Sequence, residues 1–419
     1  MRKIFCIITV LFLCGCSATA SRQIVRVPQS TQRVCQLTGA MDTSGGDTLN
    51  RTDRNAKLTG TDLGASFSAP SGLVFFLFGD TEHTTGLARD KAADSIAYSH
   101  SDIDPEHCVP LTFLRANDGG FQPPHLFESA DDKGTRIPLG IFEVPTSGFV
   151  SNGSTYLTFA TQAQGTPRRP TRSVLGKMPT LLGGDRDQRS DFTRLYDLPP
   201  DKLLNVSSIL VDDTWHPSAH PTRVLFFGSG IYRASTTAYL ATISLADVDK
   251  GDLAYFTQAS GNHAHWSSSS NDAAGLFASD VQCIGELSVT WNSYLRKWLM
   301  LYNCDGPQRG ILYRTAENPW GPWSAAAILF DPRRDKGYCY FIHDRYPATC
   351  PSDGANPKDN LVSRAFGADG YGGEYGAYVI DAYTKGDARK HSSTIYFTMS
   401  TWNPYQVVLM KTTLIAQRD

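Results

Sequence analysis

Short hydrophobic runs rich in β-branched and aromatic residues recur along the chain, each bounded by Gly, Pro, Asn or Asp. Such runs predict strands closed by tight turns, and helix-length amphipathic stretches are scarce. Five runs resemble one another: Leu73–Phe78, Thr155–Phe159, Val224–Phe227, Lys297–Tyr302 and Thr394–Met399. Each reads as a buried strand. They recur at intervals of roughly seventy to a hundred residues, room for a four-stranded sheet with its loops. Five such sheets arranged radially give an all-β, five-bladed β-propeller, which protects strand edges and leaves a central channel. A pair of β-sandwich domains is the alternative that the pattern leaves open. Three stretches, 165–191, 261–272 and 350–373, read as loop insertions, either shaping a cleft or decorating the surface.

Composition narrows the class. The 419 residues hold 39 Lys+Arg against 41 Asp+Glu, a net charge of −2, with 19% charged and 11% aromatic residues. A disordered chain needs more charge and fewer aromatics, and a near-neutral chain has no basic field for nucleic acid. A monomer without a nucleic-acid partner is expected.

The N-terminus reads as an address. Arg2 and Lys3 precede an apolar run, Ile4–Leu13, which suits an export signal and is too short to span a bilayer. The run ends Leu13-Cys14-Gly15-Cys16, which resembles the bacterial lipoprotein box with Cys16 as the lipidated residue. An A-x-A-like site at Ala18–Ala20 is the other reading, and it would release a soluble secreted protein. The expected organisation is a signal peptide over 1–15, a tether and lead-in over 16–57, and one domain over 58–419. Membrane contact is expected through the lipid anchor alone.

Export changes the meaning of the nine cysteines. With Cys6 and Cys14 removed and Cys16 acylated, six remain, an even number that favours disulfides in an oxidising compartment. Cys283 and Cys304 flank a predicted hairpin and Cys339 and Cys350 bracket a loop, which leaves Cys35 with Cys108. This is one of about fifteen possible connectivities.

The chain contains no G-x-S-x-G, H-E-x-x-H, P-loop or G-x-G-x-x-G motif. The pairs His216/His220 and His263/His265 lie in loop-like text and make weak metal ligands. Carboxylates near strand ends say more. Asp62 precedes a predicted strand, Asp80 closes Leu73–Phe78, and a turn at Pro70–Gly72 would bring both to one rim of a hairpin. Glu286 precedes the strand pair around Trp291–Tyr302. Two carboxyls facing a cleft can divide acid and base work if their surroundings separate their pKa values. An Asx-type turn is the plainer role for an Asp at a strand end. Trp402 and Tyr405 are candidates to stack on sugar rings, or simply to pack a core.

Several motifs together resemble domain-of-unknown-function family 4185. They are Gly60–Gly64 with Leu77–Thr81, Phe227–Arg233, Gly285–Asn292 with Trp298–Asn303, Glu374–Gly376, and Ser400–Met410. The resemblance runs in order from Leu58 to Leu414. It implies a five-bladed propeller similar in shape to arabinanases. Part of that family is classed as glycoside hydrolase family 183, which cleaves the D-arabinan of mycobacterial arabinogalactan and lipoarabinomannan. By that resemblance Asp62 and Asp80 match the catalytic carboxylates, Asp62 as nucleophile or base and Asp80 as general acid. Arg233, Glu286 and Tyr375 match cleft residues that hold hydroxyls or tune a neighbour, and Trp402 joins them as a substrate-binding residue. The expected function is an exported, lipid-anchored endo-D-arabinanase acting on a polysaccharide without metal or organic cofactor. A non-catalytic surface propeller that binds glycan or protein, and an arabinofuranosidase of other substrates, remain the alternatives.

Overall fold

Each of the five aromatic-rich runs forms the second strand of a separate sheet, antiparallel to the strands on both sides. The computed structural model describes residues 22–417, apart from 85–92, 130–134, 141, 163–168, 181, 183–189, 231–232, 278–282, 305–308, 345 and 355–371. The expected signal peptide and Cys16 lie outside the described residues, as do 355–371 of the stretch 350–373. Of the expected insertion at 165–191 only 165–168, 181 and 183–189 do, and Arg172–Met178 within it is a blade strand rather than a loop.

Blade I pairs Leu58–Ser68, Leu73–His83, Ala93–His100 and Thr112–Phe113 in that order. Blade II runs Val144–Ser151, Ser154–Thr161, Arg172–Met178 and Asp191–Leu198, extended outward by His125–Phe127 and Arg136–Ile137. Its first hairpin turns at Asn152-Gly153, both with positive φ, the geometry that two-residue hairpin loops require. Blade III has five strands, from Asn205–Val211 out to His263–Ser267, so the expected insertion at 261–272 forms part of a hairpin. Blade IV runs Leu287–Asn292, Lys297–Asn303, Ile311–Ala316 and Ala327–Phe330.

Blade V closes the ring. Its order is Glu374–Val379, Ser392–Thr401, Gln406–Gln417 and then the N-terminal strand Gln23–Arg26, antiparallel to the last strand. Gln32–Gln36 pairs with that last strand too. The tether and lead-in expected over 16–57 therefore needs correction: from Gln23 onward it is part of the fold. Its strands escape a sequence reading because they are short and mix Gln, Arg, Val and Cys without a clean alternation, although Ile24 and Gln36 are buried.

The first strand of each blade packs against that of the next, and blade V against blade I, so five first strands surround one channel. Neighbouring first strands do not share a backbone ladder, and hydroxyls bridge several of the gaps. Ser66 Oγ donates to the Val379 carbonyl at 3.1 Å, Ser147 and Ser208 hydroxyls meet at 2.8 Å, and Val289 and Val379 N–H groups each donate to a serine Oγ at 3.0 Å. Small polar residues thus satisfy an edge that larger side chains would push apart. Outside this ring the apolar faces meet between blades, as with Phe75 and Leu77 of blade I against Leu157 and Phe159 of blade II. Burying a Leu or Phe in this way contributes roughly 1.5–3 kcal/mol each.

The disulfides are those expected: Cys35–Cys108, Cys283–Cys304 and Cys339–Cys350. They fit an extracellular or periplasmic setting. No helix among the described residues is long and apolar enough to cross a membrane.

Candidate active site

The beginnings of the five first strands meet at one mouth of the channel. Asp62, Val144, Asn205, Glu286 and Tyr375, one from each blade, line a single pocket there. Asp80, Arg233 and Trp402 line the same pocket, so all six site residues expected from the sequence come together. The empty space is about 470 Å³, much of it continuous with solvent.

Asp62 lies inside its strand rather than before it, and the pairing register shifts on both sides of it. Leu63 and Gly64 follow at φ 64° and 94°, a left-handed kink that bends the strand and re-aims the aspartate. A left-handed Leu costs roughly 1–3 kcal/mol and persists only where its surroundings fix it. Here the Leu63 N–H donates to Ser400 Oγ at 2.6 Å. Gly79 stands directly opposite Asp62, and a Cβ at that position would lie 2.6 Å from Asp62 Oδ1 and 2.6 Å from Val144 Cγ1. Glycine is therefore required beneath the carboxyl. Gly79→Ala is expected to destabilise the fold by about 1–3 kcal/mol, as overpacking does. A urea midpoint equal to that of the wild type would contradict this close approach.

Asp80 sits within Leu73–His83, and its carboxyl accepts the Phe142 N–H at 3.0 and 3.2 Å. It reaches across to the loop before blade II, so the Asx-turn reading does not apply. Phe142 itself is left-handed at φ 70°.

On the far side, Tyr375 Oη donates to Asp62 Oδ2 at 2.9 Å. The Arg233 guanidinium lies over the Tyr375 ring at 4.9 Å and forks onto Glu286, with Nη2 to Oε1 at 2.9 Å. Asn303 Nδ2 donates to Glu286 Oε2 at 2.9 Å while its Oδ1 accepts the Gly376 N–H at 3.2 Å. Glu286, Arg233 and Tyr375 thus form a chain that ends on Asp62. Trp402 is only partly buried and packs beside Tyr375 and Tyr405, leaving an aromatic surface at the pocket rim.

These contacts separate the carboxyls electrostatically. Burial pushes Asp62 up to about 6, restrained by the Tyr375 hydroxyl and raised again by the Glu286 charge. Burial and then the Asp62 charge push Asp80 well above the usual carboxylate value, against the Phe142 N–H. Burial also opposes ionisation of Glu286, but Arg233 and Asn303 outweigh it and hold that group below its usual value. Burial thus favours the acid form of both aspartates, while Tyr375 and Arg233 favour the Asp62 carboxylate and the Asp62 charge favours the Asp80 acid.

Sequence reasoning passed over several residues here. Asn303 was within reach, since it closes the Trp298–Asn303 motif. Phe142 acts through its main chain, which no side-chain identity announces. Asp94 on the third strand of blade I gave no signal, yet it is buried and neither carboxyl oxygen finds a hydrogen-bond partner. Burial, followed by the charges of Asp80 and Asp62, raises its pKa well above the ordinary value. The folded state then binds a proton that the unfolded state releases above about pH 4, so stability falls as pH rises toward the folded pKa. Asp94→Asn removes this penalty. Its melting temperature is expected to gain on the wild type steadily from pH 4 to pH 8, and a gap independent of pH would refute the assignment.

Among the described residues no group of three or more His, Cys, Asp or Glu side chains is placed to hold a metal. His216 packs against Trp291 at 4.3 Å between ring centroids, and His263 and His265 are exposed on an outer hairpin.

These features define a five-bladed propeller with a carboxyl pair at the mouth of its channel. The family model described as "Domain of unknown function (DUF4185)" matches residues 184–411, and the chain belongs to that family. No curated protein matches it significantly. Among solved structures, a candidate hydrolase from Bacteroides ovatus is similar, with a TM-score of 0.52 and 12% identity over 86% of this chain and 87% of that one. An exo-β-1,3-galactanase from Phanerochaete chrysosporium reaches 0.45 at 9% identity, over 91% of this chain and 64% of that one. A thermostable family-43 glycoside hydrolase reaches 0.39 at 13% identity, over 86% and 90%. At these identities the likeness concerns the fold.

Proposed function

We propose that the protein is an exported, lipid-anchored glycoside hydrolase that cleaves furanosidic bonds, with D-arabinan as its polymer substrate. The observation that carries this reading is the meeting of Asp62 and Asp80 in one pocket, where a tyrosine hydroxyl and an arginine favour the Asp62 carboxylate while burial and the Asp62 charge favour the Asp80 acid. Hydrolysis of a glycosidic bond needs that division of labour. Asp80 gives its proton to the departing sugar oxygen as the bond breaks. Asp62 either bonds to the anomeric carbon as that bond breaks, giving a glycosyl ester that water then hydrolyses, or takes a proton from the water that attacks the same carbon. Tyr375 fixes the Asp62 carboxyl through Oδ2, and Oδ1 has no hydrogen-bond partner. Trp402 offers a rim surface on which a sugar ring can stack.

The resemblance of the blade I motif to family 183 arabinanases supports the furanose polymer, and the short N-terminal apolar run ending at Cys16 supports the anchor. The reading is tested by incubating the wild-type protein with arabinogalactan carrying D-arabinan and with a panel of L-arabinan, galactan and synthetic aryl furanosides. Oligosaccharide release from the D-arabinan-bearing polymer ahead of the others is expected. Release from none of them would remove the enzyme assignment.

A further inference from the structure

Behind Asp80 lies a second buried acid that the reaction as outlined does not use. Glu143 is 4% exposed and stands next to Phe142, on the loop leading into the first strand of blade II. Its Oε2 accepts the Gly140 N–H at 2.5 Å, folding the loop back on itself. That fold turns Phe142 to its left-handed conformation, from which its N–H reaches both Asp80 oxygens. A left-handed Phe is unfavourable unless something holds it, and the Glu143–Gly140 contact on either side of it does so.

We propose that Glu143 is a positioning residue for Asp80, fixing the loop that donates to the Asp80 carboxyl and setting a second negative charge beside it. The two effects oppose each other. The Phe142 N–H favours the Asp80 carboxylate, whereas the Glu143 charge favours the acid form that a general acid must hold. The charged and titratable groups facing Asp80 are Asp62 from the first strand of blade I, Asp94 from its third strand, Glu143 from the blade II loop and Tyr405 of blade V, whose Oη donates to the Asp80 carbonyl at 3.1 Å. Burial raises Glu143 itself, and main-chain N–H groups at Gly140 and Gln162 favour its carboxylate. The loop thus both orients the acid and helps it keep its proton.

The inference rests on the general-acid role of Asp80, so its test carries a readout that needs no turnover. Full-length Glu143→Gln keeps an acceptor for Gly140 and removes the charge. Its Asp80 carboxyl, followed by ¹³C NMR, is expected to titrate about one pH unit lower, as loss of a like charge at close range implies. The alkaline limb of kcat/KM should move down with it. Glu143→Asp keeps the charge but withdraws it from Gly140, and is expected to retain the alkaline limb while kcat falls. An unshifted Asp80 titration in Glu143→Gln, or a displaced alkaline limb in Glu143→Asp, overturns the proposal. A shifted titration in a protein that hydrolyses no glycan would leave it standing and remove the hydrolase reading instead.

Discussion

Asp80→Asn is expected to lower kcat/KM on the natural glycan by about 10³–10⁵-fold, while an aryl furanoside with a strongly acidic leaving group loses about tenfold or less. The asymmetry follows from the role. A sugar alkoxide departs only when protonated, and Asp80 is the pocket carboxyl whose acid form burial and the Asp62 charge favour. A nitrophenolate leaves without a proton, so the loss of the acid is felt little. Asp80 contacts Phe142 through its carboxyl, and an Asn oxygen can still accept that N–H, so the pocket geometry survives the change. Initial rates on the two substrates decide the matter. Equal losses on both would assign Asp80 a structural role.

Arg233→Met is expected to destabilise the fold by about 3–5 kcal/mol, because it strands the buried Glu286 carboxylate. Glu286 would keep Asn303 as a donor, which offsets only part of that cost. The double variant Arg233→Met/Glu286→Gln should recover most of the loss, since no unpaired charge then remains. Loss of Arg233 also removes a cation that favours ionised Asp62. The acid limb of kcat/KM should therefore move to higher pH, from about 6 in the wild type. Urea titrations of both variants supply the first measurement and a pH–rate profile the second. A single variant within about 1 kcal/mol of the wild type would contradict the account of a buried, paired Glu286.

The fold was legible where local chemistry decides it. Leu73–Phe78 and its counterparts are strands by composition, and Pro70–Gly72 turns the blade I hairpin that carries both aspartates. Ring closure by Gln23–Arg26 was not legible, because a four-residue strand whose one buried apolar residue is Ile24 is too short to show the alternation that marks a half-buried strand. Within the site, residues acting through side chains in strand-end motifs, such as Asp62, Glu286 and Tyr375, could be assembled from the resemblance, which also suggested their roles. The surroundings that set those roles apart could not. The protonation of Asp62 and Asp80 depends on contacts from other blades: Tyr375 lies 313 residues from Asp62, and Phe142 lies 62 from Asp80. Propeller closure creates those contacts, and no local pattern encodes them.

If Asp62 and Asp80 together hydrolyse a furanose polymer, product release needs both carboxyls. The decisive assay is reducing-end release from D-arabinan-bearing arabinogalactan by wild type, Asp62→Asn and Asp80→Asn at matched folded concentration. Steady release by the wild type and a loss of at least about 10³-fold in each variant are expected. Release at the wild-type rate by both variants would contradict that requirement.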